Sequence, residues 1–253
     1  MRRNPRGTRL SPEASCRASA RLVAMMAGVD VELDEVVLTG GRVARGIVRV
    51  GETVRRPMPA DSDYVHGLLA HLERCGFVGA PRFLGVDSRG REIVSYIEGD
   101  TLPHNGFRLS SEAVVAGALL VRRVHDLTAG TEFAASSEVA CHLNLSQPNF
   151  VFRDMIPIAI IDWDSTRPGS RVSNLADFMW AFVHPAVYGD DEAANMLRVA
   201  VDAYGWTSGG LVDAMLTTVR TFVEINPEFR DWGVPELEHL ERNANLFRKR
   251  LNE

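Results

Sequence analysis

His142, Asn144 and Asn149 precede a short apolar hairpin, and Asp162 and Asp164 follow it. Phe150-Val151-Phe152 is strand-forming, Arg153-Asp154 reads as a turn, and Ile156 to Ile161 is an almost unbroken apolar run that reads as a buried strand. The polar groups therefore gather at the two ends of a hairpin whose middle is hydrophobic. A carboxylate at the mouth of a buried strand, facing an amide at the mouth of its partner, is suited to a hard cation such as Mg²⁺. That ion binds oxygen through one or two carboxylates and completes its shell with water and phosphate.

The remaining elements must position that hairpin. Val36-Val37-Leu38-Thr39, Ile47-Val48-Arg49-Val50 and Thr53-Val54-Arg55-Arg56 read as strands, with Gly40-Gly41 and Gly51-Glu52 at the turns. Gly40 and Gly41 are open to two readings, a plain β-turn or a loop whose backbone approaches a ligand closely. A helix is expected from about Asp61 to Cys75, followed by strands at Pro81–Gly85 and Glu92–Ile97 across the turn Asp87-Ser88-Arg89-Gly90. Glu98-Gly99-Asp100 breaks the pattern, and residues 110–127 form a helix that Ser110 or Ser111 can cap. His125-Asp126 closes that helix and is read as a helix-end pair near the carbonyl dipole. Ser165 to Arg171 reads as a flexible link. Beyond it, apolar residues recur at helical spacing in Leu175–Val183, Ala193–Tyr204, Leu211–Ile225 and Leu237–Leu251. Trp180, Trp206 and Trp232 read as packing residues. Asp190, Asp191 and Glu192 suit a helix start, and they could also face a cationic ligand.

The stretch CHLNLSQPNFVFRDMIPIAIIDWDSTRPGSRVSNLADF resembles the core of the aminoglycoside and choline kinase-like phosphotransferase family. His142, Asn144 and Asn149 stand at the spacing of the kinase loop H-x-D-x-x-x-x-N. Asp162, thirteen residues after Asn149, stands where kinases place their metal-binding Asp, in the triplet Ile-Asp-Trp. The resemblance spans about residues 36–250. It implies an α+β, two-lobed protein kinase-like fold with a small antiparallel β N-lobe and a mostly helical C-lobe. Residues 31–97 would form the nucleotide-binding N-lobe and residues 98–253 the C-lobe, carrying the catalytic loop and the acceptor-binding helices. Residues 1–30 would be a basic, disordered extension.

The resemblance also implies roles for individual residues. Asn149 and Asp162 would hold Mg²⁺, His142 would brace the loop, and Asn144 would face the acceptor hydroxyl. Gly40 and Gly41 would form the nucleotide loop. Arg55 and Arg56 stand on the strand where the family has its phosphate-binding Lys, although exposed strand charges are the other reading of them. Tyr96, Ile97 and Glu98 would form the hinge whose backbone binds the purine. Three positions depart from the family: Asn144 replaces the catalytic Asp, Asn174 replaces the Asp of Asp-Leu-Ala, and no carboxylate stands near Val65 or His66, where the Glu that pairs with the Lys is expected.

Composition limits the alternatives. The formal net charge of -5 argues against nucleic acid as the main partner. Cys16, Cys75 and Cys141 are too scattered for a disulfide framework or a zinc site, which points to a reducing, cytoplasmic setting. No apolar run approaches a membrane span. Residues 1–24 hold Arg2, Arg3, Arg6, Arg9, Arg17 and Arg21 against Glu13, which suits a targeting segment, a nucleic-acid arm, a disordered tail or a non-native extension ahead of Met25. The expected function is transfer of the γ-phosphate of ATP or GTP, with Mg²⁺, to a hydroxyl of a small molecule by a monomer or weak dimer. The alternative is an impaired pseudoenzyme that binds nucleotide or a small ligand without turnover.

Overall fold

The computed structural model describes residues 34–38, 46–103 and 106–252. Gly40, Gly41 and the basic segment with Met25 lie outside these residues. The chain divides into two units, Met1–Val36 and Val37–Glu253, and both lobes belong to the second.

Strands β2 (Val48–Val50), β3 (Thr53–Arg56), β4 (Phe83–Val86) and β5 (Glu92–Ser95) form an antiparallel sheet in the order β2-β3-β5-β4. Just after β1 (Val36–Val37), Leu38 N–H bonds Ile47 O at 3.1 Å. Helix α1 (Ser62–Arg74) buries Val65, Leu68, Leu69 and Leu72, an apolar stripe at helical spacing. This is the small sheet lobe.

The larger lobe is mostly helical. Helix α2 (Ser111–Thr128) is capped by Ser110, whose hydroxyl accepts from Ala113 N at 3.2 Å. It buries Ala113, Val114, Gly117, Ala118, Val121, Val124 and His125. At Gly117 a Cβ would come within 2.7 Å of the Phe182 ring, so the helix can approach that ring only as glycine. Strand β6 (Val139–Cys141) leads into the loop of interest, and β7 (Phe150–Arg153) pairs with β8 (Ile156–Ile160) in the expected hairpin. β7 runs through Arg153, so the turn is made by Asp154 and Met155, both at positive φ. Phe150, Phe152, Phe178 and Phe182 are fully buried, with the Phe150 and Phe182 centroids 4.3 Å apart, and they fix the hairpin against the helices.

Two expectations are corrected after the hairpin. Ser165 to Arg171 is not a free link: Arg167–Gly169 forms β9, which pairs with β6 through Val139↔Gly169 and Cys141↔Arg167. A Pro-Gly segment carries little strand propensity, and the ladder to β6 supplies the order. The helix expected at Leu175–Val183 is instead α3 (Arg171–Asp177) followed by a π-helical turn at Phe178–Val183. Helices α4 (Asp190–Tyr204), α5 (Leu211–Ile225) and α6 (Arg230–Leu251) complete the lobe. No helix among the described residues is long and apolar enough to cross a membrane.

Candidate nucleotide and catalytic-loop site

The loop between β6 and β7 is clamped along its length. His142 is buried, its Nε2 donates to Ile161 O at 3.0 Å, and its ring meets the Trp163 indole edge-on at 5.1 Å. Burial holds its pKa below the ordinary value, so it is a neutral brace. Asn174, on α3, grips the His142 backbone from both sides: Oδ1 accepts from His142 N at 3.2 Å, and Nδ2 donates to His142 O at 2.9 Å. An ionised Asp could only accept here, so the amide suits the position.

The backbone fixes the orientation of Asn174, and this decides the state of His125. Its Nε2 donates to Asn174 Oδ1 at 2.9 Å, and its Nδ1 accepts from Tyr204 OH at 2.7 Å. Burial lowers its pKa to about 4, which keeps the imidazole neutral. His125 is thus a structural brace two contacts behind the loop between β6 and β7.

Further along, Leu145 N donates to Asp177 Oδ2 at 2.8 Å. Gln147, also buried, accepts from Phe107 N at 2.7 Å and donates to Phe107 O and Phe182 O. Asn149 Nδ2 donates to Asn144 O at 2.9 Å. Asn144 itself is exposed, and its Oδ1 accepts from Ser146 Oγ at 3.0 Å. The side chain that would face an acceptor is therefore presented by a backbone fixed at several points.

Asp162 stands at the end of β8 in the left-handed region (φ 63), which turns its half-exposed carboxylate out of the strand direction. Across from it, Arg56 reaches down from β3. Its Nη1 bonds Asp162 Oδ1 at 3.0 Å, Nη2 bonds Asp164, and Nε bonds Glu92 on β5. Burial opposes the charge on Arg56, but Asp164, Glu92 and Asp162 together hold its pKa above the usual value. Arg55 does not join this group, because its guanidinium bonds Thr53 Oγ1 two residues away, on the other phase of the strand. The expected cations thus separate, Arg56 at the site and Arg55 away from it.

At the expected hinge, Tyr96 N bonds Glu52 O at 2.9 Å and its ring lies 3.7 Å from the Arg49 guanidinium. Glu98 O accepts from Arg153 Nη2 at 3.1 Å. Asp100 and Phe152 exchange backbone bonds of 2.9 and 2.7 Å, which ties this segment to β7. Gly99, between them, has φ 153, and a Cβ there would sit 2.5 Å from Phe152 O. Gly99→Ala is therefore expected to destabilise the protein by about 2 kcal/mol or more, from backbone strain plus overpacking, read as a lower urea midpoint.

Among the described residues, no group of three or more His, Cys, Asp and Glu could hold a metal ion. The donor set offered by Asn149 and Asp162 still fits Mg²⁺, which needs few protein ligands when phosphate supplies the rest. The nitrogen of the Asn149 amide is engaged by Asn144 O, so its oxygen is the end left to bind a cation.

Sequence reasoning missed Glu92, Asp177 and the compensating role of Asn174. Glu92 had a signal: it shares its strand phase with buried Val94, and an acid in the core phase of a strand demands a partner. Asp177 carried none, because its contact with Leu145 depends on tertiary placement.

No family model matches the chain. It is 33% identical over 214 residues to the trifolitoxin immunity protein of Rhizobium leguminosarum bv. trifolii, covering 73% of this chain and 80% of that one. Among solved structures, the gentamicin complex of APH(2")-IIa aligns with a TM-score of 0.55 at 13% identity, over 94% of this chain and 96% of that one. ADP-bound aminoglycoside phosphotransferase APH(2'')-Ib aligns at 0.55 and 14%, over 94% and 99%. A choline/ethanolamine kinase family protein from Mesorhizobium loti aligns at 0.54 and 16%, over 94% and 98%. The chain therefore belongs to the family of the trifolitoxin immunity protein, built on the two-lobed kinase-like fold of the aminoglycoside and choline kinase-like phosphotransferases.

Proposed function

We propose that this chain is a cytoplasmic phosphotransferase that moves the γ-phosphate of ATP or GTP to a hydroxyl of a toxic small molecule, and so protects the cell. The observation that carries this reading is that Arg56 Nη1 bonds Asp162 Oδ1 at 3.0 Å while Ile161, the residue before Asp162, donates its N–H to Asn149 O at 2.8 Å, so the segments carrying the two oxygen donors and the cation adjoin. The immunity named for its relative supports a toxin as acceptor. The fold's occurrence in enzymes bound to aminoglycoside and to ADP supports nucleotide use.

In this reading Asp162 and Asn149 would hold Mg²⁺, which would supply charge neutralisation at the phosphates. Arg56 grips phosphate through its forked guanidinium. Tyr96, Ile97 and Glu98 would offer backbone to the base through groups other than Tyr96 N and Glu98 O, which are already bonded, and the resemblance assigns Gly40 and Gly41 to the nucleotide loop. His142 keeps the loop in place without titrating. Asn144 accepts a hydrogen bond from the acceptor hydroxyl and orients it, but an amide has no useful basicity, so turnover is slow.

Thermal unfolding with ATP or GTP, with and without Mg²⁺, tests the site. Ligand at 100 times Kd adds about 2.7 kcal/mol, a shift of several degrees for a chain of this size. The shift is expected to need Mg²⁺ and to vanish in Asp162→Ala; no shift with either nucleotide overturns the reading. Asn144 favours a second reading, in which the protein binds toxin and nucleotide but transfers nothing. Labelled phosphate appearing on any acceptor eliminates it.

A further inference from the structure

We propose that Glu92 and His66 are the positioning residues of Arg56, a carboxylate on a neighbouring strand and an imidazole on helix α1 doing together what a single helix carboxylate would otherwise do. The inference rests on the nucleotide-site reading above.

Glu92 and Arg56 are direct partners across the β3–β5 ladder, so their side chains leave the same face of the sheet. The Glu92 side chain is 1% exposed and that of Arg56 12%. A carboxylate buried so completely is tolerated only when its oxygens are satisfied. Both are: Oε1 takes Arg56 Nε, and Oε2 takes His66 Nε2 at 2.7 Å. His66 is itself fixed, its ring stacked on Phe83 with centroids 3.6 Å apart and planes 12° from parallel. The α1 residues around it, Val65, Leu68 and Leu69, are fully buried and set its position. Phe83, His66, Glu92 and Arg56 thus form one rigid chain of contacts from the helix to the cation.

The other edge of Arg56 is held differently. Its Nη1 and Nη2 meet Asp162 and Asp164, whose side chains are 48% and 44% exposed. The back of the guanidinium is therefore anchored in a dry site and its front rests on half-solvated carboxylates. A phosphate arriving from solvent can replace the front contacts without disturbing the rear one. One guanidinium also serves Glu92, Asp162 and Asp164 at once, which a compact ammonium could not do with the same geometry.

The test compares Glu92→Gln with the double variant Glu92→Gln/His66→Glu in the full chain, titrated with ATP and GTP in the presence of Mg²⁺. Folding is checked by circular dichroism and by the melting temperature without nucleotide. Glu92→Gln is expected to weaken nucleotide binding at least tenfold. The double variant moves the carboxylate onto the helix and is expected to recover affinity to within threefold of wild type, a rescue that a merely structural role for Glu92 would not give. Glu92→Asp withdraws the carboxylate by one methylene while keeping its charge, and is expected to weaken binding as well; it carries the test if Glu92→Gln does not fold. Wild-type affinity in Glu92→Gln and Glu92→Asp, or a folded double variant no better than the single one, overturns the inference alone. A wild type that binds neither nucleotide overturns the functional reading and the phosphate role of Arg56 together.

Discussion

Asn144→Asp is expected to raise the rate of phosphate release from nucleotide, with water as the acceptor, at least tenfold. The backbone of the loop does not depend on the residue 144 side chain. Asn174 holds His142, Asp177 holds Leu145 N, and Asn149 holds the carbonyl of residue 144. Ser146 Oγ donates to Asn144 Oδ1 at 3.0 Å, a bond that a carboxylate oxygen accepts equally well. The substitution thus changes basicity in a fixed position. A positioned base contributes about 10²–10⁴-fold, and a loose phosphoryl-transfer transition state puts the gain toward the low end. The gain should fall in kcat with KM little changed, because in the proposed reading the amide orients the attacking water and lacks only the ability to take its proton. Single-turnover and steady-state hydrolysis of ATP and GTP measure it. An unchanged rate removes Asn144 from the mechanism.

The range of each interaction decides whether the sequence reveals it. The hairpin of Phe150–Arg153 and Ile156–Ile160 was legible because a run of β-formers with polar ends is a local pattern. The helices from Asp190 onward were legible through their apolar stripes, and the α2 cap through Ser110. Strand β9 was not, since Arg-Pro-Gly acquires its conformation only from the ladder with β6. The π-helical turn was not, since Phe178–Val183 is as apolar as an ordinary buried helix. At the site, the resemblance assigns Asn149 and Asp162 by spacing, whereas Arg55 and Arg56 could not be told apart until the strand's phase and the Glu92 partner were known. The missing carboxylate at Val65 or His66 read as a loss. In three dimensions His66 reaches Glu92, so a carboxylate on the neighbouring strand β5 is what meets Arg56. Asn174 likewise read as a loss, and its two contacts with the His142 backbone show an amide used for both of its functions.

Asp177→Asn is expected to stabilise the protein at neutral pH by about 3 kcal/mol, an effect that disappears in acid. Asp177 lies under the loop, buried, with Leu145 N as its donor. Burial raises its pKa from 3.8 to about 6, and the hydrogen bond from Leu145 only partly opposes this. A raised carboxyl pKa means that the folded state holds the proton more tightly than the unfolded chain. Stability from this group therefore falls as pH rises from about 4 to about 6, and above that the full cost of the buried charge is present. The shift corresponds to about 1.4 kcal/mol per pH unit, which gives the figure above. Asn reproduces the protonated acid in shape, still accepts from Leu145 N, and carries no charge to bury. Urea unfolding of both proteins at intervals from pH 4 to pH 8 isolates this contribution, because every other titrating group cancels in the difference. The two stability curves should meet near pH 4 and diverge until about pH 6. Parallel curves would show that Asp177 titrates normally in the folded protein. A stabilising substitution one residue contact from Asn144 also locates a cost that the chain carries at neutral pH to keep an anion behind the loop between β6 and β7.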